Sequence, residues 1–226
     1  LAALYQKVWI RHEESRDILD PEAPRNFERT GGMFLIQDEE SLLRLADDPS
    51  EYVWVAREGE RVLGALWCGL NDEKYADPSR IQTYEGCEDL PGRIMRGLLD
   101  GTLYFSKEIV VAPGERGRKI AEALLGTAMR FFHARGFRQS CGEVYDVRAM
   151  RDEAGERKVG LFNGASCRML ERTGCRIEGE FPPCVVNADG FDALISMRIV
   201  RWDLDPSLQL ATAALSAVWR FMEQYA

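Results

Sequence analysis

The stretch Val111-Ala112-Pro113-Gly114-Glu115-Arg116-Gly117-Arg118-Lys119-Ile120-Ala121 decides how this chain folds. Ahead of it, TLYFSKEIVV (residues 102–111) is rich in β-branched and aromatic residues and predicts a strand, which Pro113 and Gly114 end. Behind it, GRKIAEALLGTAMRFFHARG places apolar residues at helical spacing and closes on Gly136, so a long helix is expected. A strand, a tight turn and a helix in succession leave the first helical N–H groups without intrahelical partners, and the helix dipole adds partial positive charge there. A pyrophosphate docks well on such an end. Gly117 lets the backbone approach a ligand with no Cβ in the way, and Ala121 keeps the next turn small. Arg116, Arg118 and Lys119 add cations to a chain whose net charge is −8. Taken alone, the same residues also read as nothing more than a basic helix start in an α/β protein.

Working outward, residues 1–19 carry apolar positions at helical spacing and predict an amphipathic helix. DEESLLRLADD predicts a short helix with Asp38 as its N-cap. EYVWVARE and RVLGALWCGL, separated by Gly59 and Glu60, predict a hairpin. Residues 71–101 break the pattern with six Pro and Gly positions and read as an insertion, with a short helix at LPGRIMRGLLDG. After the long helix, SCGEVYDV predicts a strand. The polar stretch RAMRDEAGERKVGLF then carries a second insertion, over residues 148–160. A helix at NGASCRMLERTG, closed by Gly174, precedes two strands, CRIEGEF and DALISMRIV. A final helix is expected from Asp205, with Pro206 at its first position. Its stripe of Leu208, Ala211, Leu215, Val218 and Met222, widened by Trp219 and Phe221, reads as docking on its own sheet, with a homodimer contact as the alternative. The order is that of one α/β domain over 1–226, helices packed on a mixed sheet.

Composition sets the bounds. Hydrophobic residues make up 46% and charged residues 29%, ordinary for a globular domain with a core. The acidic net charge argues against nucleic acid as a partner. No run of about 18 apolar residues occurs, so no membrane partner is expected. Six cysteines without a C-x-x-C pair, beside only two histidines, read as free thiols in a reducing cytoplasm and leave no metal site to assemble. The chain opens on Leu1 rather than Met, so natural residues, a first strand among them, are expected ahead of it.

V-x-P-x-x-R-G-x-K-I-A-x-x-L-L at residues 111–125 resembles motif A of the GNAT superfamily of N-acetyltransferases, whose core is Arg/Gln-x-x-Gly-x-Gly/Ala. Arg116 fills the first place and Ala121 the last; Lys119 stands where the family has its middle glycine. At that place Lys119 must offer its backbone N–H while its side chain turns aside. Asn163-x-x-Ser166-x-x-x-Leu170-x-Arg172-x-Gly174 is similar to the later helix of the family, and YVWVAREGERVLGALW to the hairpin before motif A. The ordered set covers most of residues 51–181.

The resemblance implies a GNAT-like fold with an extra C-terminal helix, and acetyl-CoA as co-substrate without a metal. Two parallel strands splay apart, and the pantetheine arm lies in the gap, bonded to an exposed strand edge. Carried over residue by residue, acetyl-CoA would meet Ile109, Val110, Val111, Arg116, Gly117, Arg118, Lys119, Ile120, Ala121, Asn163 and Ser166. A primary amine of an unidentified acceptor would attack the thioester directly, giving an acyltransferase. The alternative is a non-catalytic acyl-CoA-binding module on the same fold. For the base, Glu108 and Glu143 are the candidates, with Asp146 third; strand alternation decides which faces the cleft, and a bulge in the first strand reverses the parity. Many relatives place a proton-donating Tyr where this chain has Leu170, so water, Tyr145 or Cys167 is left for that role. His133 reads as packing or capping near its helix end.

Overall fold

The computed structural model describes residues 3–4, 39–152, 155–188, 191–204 and 218–220. Helix α1 (Glu39–Asp47) leads into the hairpin β1 (Glu51–Glu58) and β2 (Arg61–Gly69). Gly59 takes φ 58° at the first position of its two-residue turn, a conformation open to glycine that primed hairpin turns require. Strand β3 (Gln82–Thr83), helix α2 (Leu90–Leu99), strand β4 (Leu103–Val111) and helix α3 (Ile120–Ala134) follow. Then come β5 (Gln139–Asp152), β6 (Gly155–Leu161), helix α4 (Gly164–Arg172), β7 (Arg176–Ala188), β8 (Phe191–Asp203) and β9 (Val218–Arg220).

The strands form one mixed, mostly antiparallel sheet in the order β3-β7-β8-β5-β4-β2-β1-β9, with β6 paired to β5. One face packs on α3 and α4. Ile120, Leu124, Leu125, Ala128, Met129 and Phe132 of α3 and Cys167, Met169 and Leu170 of α4 are buried there with Leu66, Tyr104, Val144 and Trp202. Each Leu, Ile, Val, Met or Phe side chain among them stabilises by about 1.5–3 kcal/mol when fully buried. Phe132 stacks on Tyr104 with centroids 3.8 Å apart. Both helices end as the sequence predicts, on glycines with positive φ. Phe137 N donates to Phe132 O and Gly136 N to His133 O; Cys175 N donates to Leu170 O and Gly174 N to Glu171 O. These are the paired bonds of the Schellman motif. His133 thus sits at the end of α3, and its carbonyl takes part in the cap.

The other face packs on the 71–101 segment. Tyr75, Ile81, Leu90 and Ile94 share a buried cluster with Leu103, Phe105, Cys141, Phe181 and Ile199. Glu178 of β7, 3% exposed, ties α2 to the sheet through Arg93 (2.5 Å) and Arg201 (2.8 Å). The segment is therefore part of the core on that side, and β3 extends the sheet by pairing with β7.

Three expectations gain detail, a correction or a bound. Within residues 148–160, read from sequence as an insertion, β5 runs on to Asp152 and pairs with β6 as a hairpin. Here β5 lies between β6 and β8, with Ala149 buried within the stretch and Leu161 just after it. Val218–Arg220, expected in the last helix, form β9 on the outer edge of β1. Val and Trp suit a strand, and an unpaired β1 would leave a row of backbone groups open. The rest of that helix, and all of the one expected over 1–19 except helical Ala3 and Leu4, lie outside the described residues. No described helix is long and apolar enough to cross a membrane.

Candidate active site

Strands β4 and β5 are the parallel pair, and their ladder is short. It joins Leu103–Ser106 to Gln139–Gly142 and stops. The cause lies on the opposite edge of β4. Against β2, Glu108 pairs with Trp67 and Ser106 with Cys68, so Lys107 is an extra residue, a bulge. A bulge bends its strand and increases local twist, which turns β4 away from β5. Gly142 marks the last close approach: a Cβ there would lie 2.8 Å from Ser106 O.

Beyond this point the strands part around a cleft of about 50 Å³. On the α3/α4 side its lining is mainly apolar: Leu66, Ile109, Leu125, Val144, Met169, Leu170 and Trp202, with Ser166. Lys107, Glu108 and Glu143 line it too. Register places Glu108 beside Trp67, on the 71–101 face, and alternation along β5 puts Glu143 on the same face as buried Cys141. The cleft thus has an apolar mouth on one face of the sheet and a charged mouth on the other.

The turn that follows β4 opens beside the apolar mouth. A one-turn 3-10 helix (Pro113–Glu115) leads to Gly117 at φ 82° and Lys119 at φ 60°, and α3 begins at Ile120. Lys119 is the one non-glycine residue with positive φ among the described residues. It stands in the left-handed region favoured by glycine, where motif A has its glycine. The amides of Ile120, Ala121 and Glu122 precede the first intrahelical bond, from Ala123 N to Lys119 O, and point out of the helix end. Gly117, Arg118 and Lys119 are exposed, whereas the Ile120 side chain is buried in the core, so only its backbone faces a ligand. Arg118 pairs with Glu115, and with Glu58 at 3.6 Å. Ile109 and Val111 face the α3 side, while the Val110 side chain packs on the opposite face with Leu4 and Ala65.

At the charged mouth, the Glu143 side chain is 13% exposed, and its Oε2 accepts from Lys74 Nζ at 2.6 Å. Its Oε1 has no hydrogen-bond partner among the described residues. Burial raises the Glu143 pKa above the usual carboxylate range, and Lys74 opposes that shift.

The family model for the acetyltransferase (GNAT) family matches residues 12–152. The chain belongs to this family. It is an acyltransferase, and the reading as a non-catalytic binding module is set aside. Among solved structures, an aminoglycoside 6'-N-acetyltransferase complexed with coenzyme A is similar at 14% identity and TM-score 0.47, covering 90% of this chain and 89% of its own. An N-acetyltransferase from Staphylococcus aureus Mu50 aligns at 15% identity and TM-score 0.49, covering 90% of each chain. The aminoglycoside 6'-N-acetyltransferase from Enterococcus faecium aligns at 14% identity and TM-score 0.46, covering 75% of this chain and 83% of its own. No curated protein matched in sequence.

In this GNAT acetyltransferase the remaining candidates fall into two groups. Asp146, 4% exposed and on the α4 face, accepts from Asn163 N at 3.0 Å and pairs with Arg198. Asn163 in turn caps α4, accepting from Ser166 N at 3.3 Å. Together they fix the helix that forms one wall of the cleft. Tyr145 lies one alternation beyond Glu143 on the same strand and is not among the cleft-lining residues. Leu170 presents an apolar side chain to the cleft, and burial raises the Cys167 thiol pKa. No cluster of three or more metal-ligating side chains occurs among the described residues.

Sequence reasoning missed two pairs. Glu122, 8% exposed in the first turn of α3, bonds Arg172 of α4 at 2.9 and 3.0 Å and ties the two walls together. An acid in a helix's first turn is a legible signal, but its partner is 50 residues away. Lys107 bonds Glu51 at 2.5 Å and lies 5.2 Å from the Trp67 ring centroid. Trp67 Nε1 donates to the same carboxylate. Desolvation raises the Glu51 pKa, against the pull of Lys107 and Trp67.

Proposed function

We propose that this acetyltransferase moves the acetyl group of acetyl-CoA to a primary amine, which reaches the cleft from the charged mouth. The observation that carries the reading is the parting of β4 from β5 at the Lys107 bulge, directly ahead of the turn at 116–121. The pyrophosphate rests on the amides at the start of α3, with Arg116 and Lys119 near. The pantetheine arm runs down the apolar side, along the β4 edge at Ile109–Val111 and past Ser166. The thioester then lies where the strands separate, open from the other face to an amine beside Glu108 and Glu143.

The residues have separate tasks. Glu108, on the bulged strand, takes a proton from the amine as it attacks; the bulge puts it at the cleft. Glu143, whose Oε2 is paired with Lys74, adds negative charge beside the incoming ammonium. Leu170 offers no proton, so the departing thiolate takes one from water. The acceptor class is a cationic amine, favoured by the acids at that mouth.

The test is release of free coenzyme A from acetyl-CoA in the presence of a panel of primary amines, resolved by chromatography. Glu108→Gln should lower kcat by about 10²–10⁴-fold, the range for loss of a general base, while leaving acetyl-CoA affinity unchanged. Undiminished turnover in that variant would move the base elsewhere.

A further inference from the structure

One amine already stands at the charged mouth. Lys74 belongs to the one-turn 3-10 helix Glu73–Tyr75, on the segment that covers this face of the sheet. The turn is firmly held. Lys74 N donates to Asp72 Oδ1 at 3.1 Å, and Tyr75 is 1% exposed, with its ring 4.7 Å from Phe105 and 5.1 Å from Phe181. From there the side chain, half-exposed, reaches Glu143. The other cation of this mouth, Lys107, is committed to Glu51 beneath Trp67 and is 19% exposed.

We propose that Lys74 is an internal acceptor: held on the cleft carboxylate Glu143, its ε-amine takes an acetyl group from acetyl-CoA bound in the same molecule. The proposal rests on the reading above that acetyl-CoA occupies the cleft. The step balances. Lys74 Nζ, as an ammonium, gives one proton to Glu143; the neutral amine attacks the thioester carbonyl carbon. The C–N bond forms and the C–S bond breaks. The nitrogen's second proton goes by way of water to the coenzyme A thiolate, and Glu143 returns its proton to solvent. The products are an ε-acetyl-lysine, free coenzyme A and one proton.

Position and tethering favour this residue, while its charge sets the cost of the first proton transfer. Burial disfavours the charge on Lys74, but Glu143 and Asp72 outweigh it and raise its pKa. The ammonium is thus kept on Glu143, the group that removes its proton. A tethered amine also reacts as if at high local concentration. Acetylation cancels the charge on Lys74 and frees Glu143 for an ammonium from outside.

The experiment incubates the protein with acetyl-CoA and no acceptor, then maps acetyl groups by peptide mass spectrometry. Melting temperature with acetyl-CoA is measured alongside. Lys74 should be labelled about tenfold or more faster than exposed Lys158, at a rate independent of protein concentration. With a small reagent such as N-hydroxysuccinimidyl acetate, which follows exposure and basicity alone, that preference should vanish. Glu143→Gln should bring labelling of Lys74 down to the Lys158 rate while keeping the acetyl-CoA melting shift. A melting shift with Lys74 labelled no faster than Lys158, or with Lys107 labelled in its place, overturns the proposal and leaves the donor reading intact. No melting shift and no selective label overturns both.

Discussion

At the scale of single residues, Lys119 shows how a departure from a motif can keep the motif's geometry. The backbone there takes φ 60° and ψ 26°, as a glycine would, and the lysine bears the strain. A non-glycine residue in that region costs about 1–2 kcal/mol. Lys119→Gly removes this but gives up about 0.5–1 kcal/mol of backbone entropy. The net expectation is a gain of up to about 1.5 kcal/mol, read from the urea midpoint at unchanged m-value. Acetyl-CoA affinity should fall only by the share that the ammonium contributes, because the amides remain. A destabilised variant would show that the Lys119 side chain makes a contact worth more than the strain. The place of Lys119 in the motif, where the family has a glycine, was legible, and its backbone takes a glycine's conformation. That Glu108 and Glu143 both line the cleft was not: for Glu108 it depends on the Lys107 bulge, and a bulge is set by pairing with β2, some forty residues earlier.

At the scale of elements, the strands and helices around the cleft were legible because their signals are local: apolar period, caps and closing glycines. What composition hid was strand length. Residues 148–160 are mostly polar and charged and show little apolar alternation, so the β5–β6 pairing there leaves no local signal. Val218–Arg220 fit a helical stripe and a strand equally well, and the open edge of β1 decides between them. Gly142 is the element-scale test of how β4 and β5 part. Gly142→Ala sets a methyl 2.8 Å from Ser106 O, a backbone atom that moves only if the strand moves. The expected loss is about 1–3 kcal/mol of stability, the range for overpacking, measured by denaturant. Acetyl-CoA affinity should fall with it, because the last rung sets the mouth of the cleft. A variant as stable as the parent would mean that the last rung is not tight.

At the scale of the whole molecule, the sheet separates two chemically different faces. One face, under α3 and α4, presents an apolar channel and a helix end suited to a phosphorylated donor. The other, under residues 71–101, presents carboxylates and lysines. From sequence, that segment reads as an insertion with one short helix. The structure shows it in the core, through Tyr75, Ile81, Leu90 and Ile94, and at the charged mouth, through Lys74. Those roles were not legible because both rest on contacts across 30 to 130 residues, with Phe105, Glu143 and Ile199. Its excision would take core side chains with it, so point substitutions at the mouth are the cleaner probe.

The central claim is that acetyl-CoA enters between β4 and β5 and rests on the start of α3. Amide hydrogen exchange with and without acetyl-CoA tests it most directly, since ligand contact slows exchange where amides are held. The account predicts slowed exchange in two places, residues 107–111 and residues 117–122, with little change along β7 and β8. Slowing confined to other segments, with these two unchanged at saturating acetyl-CoA, would contradict it.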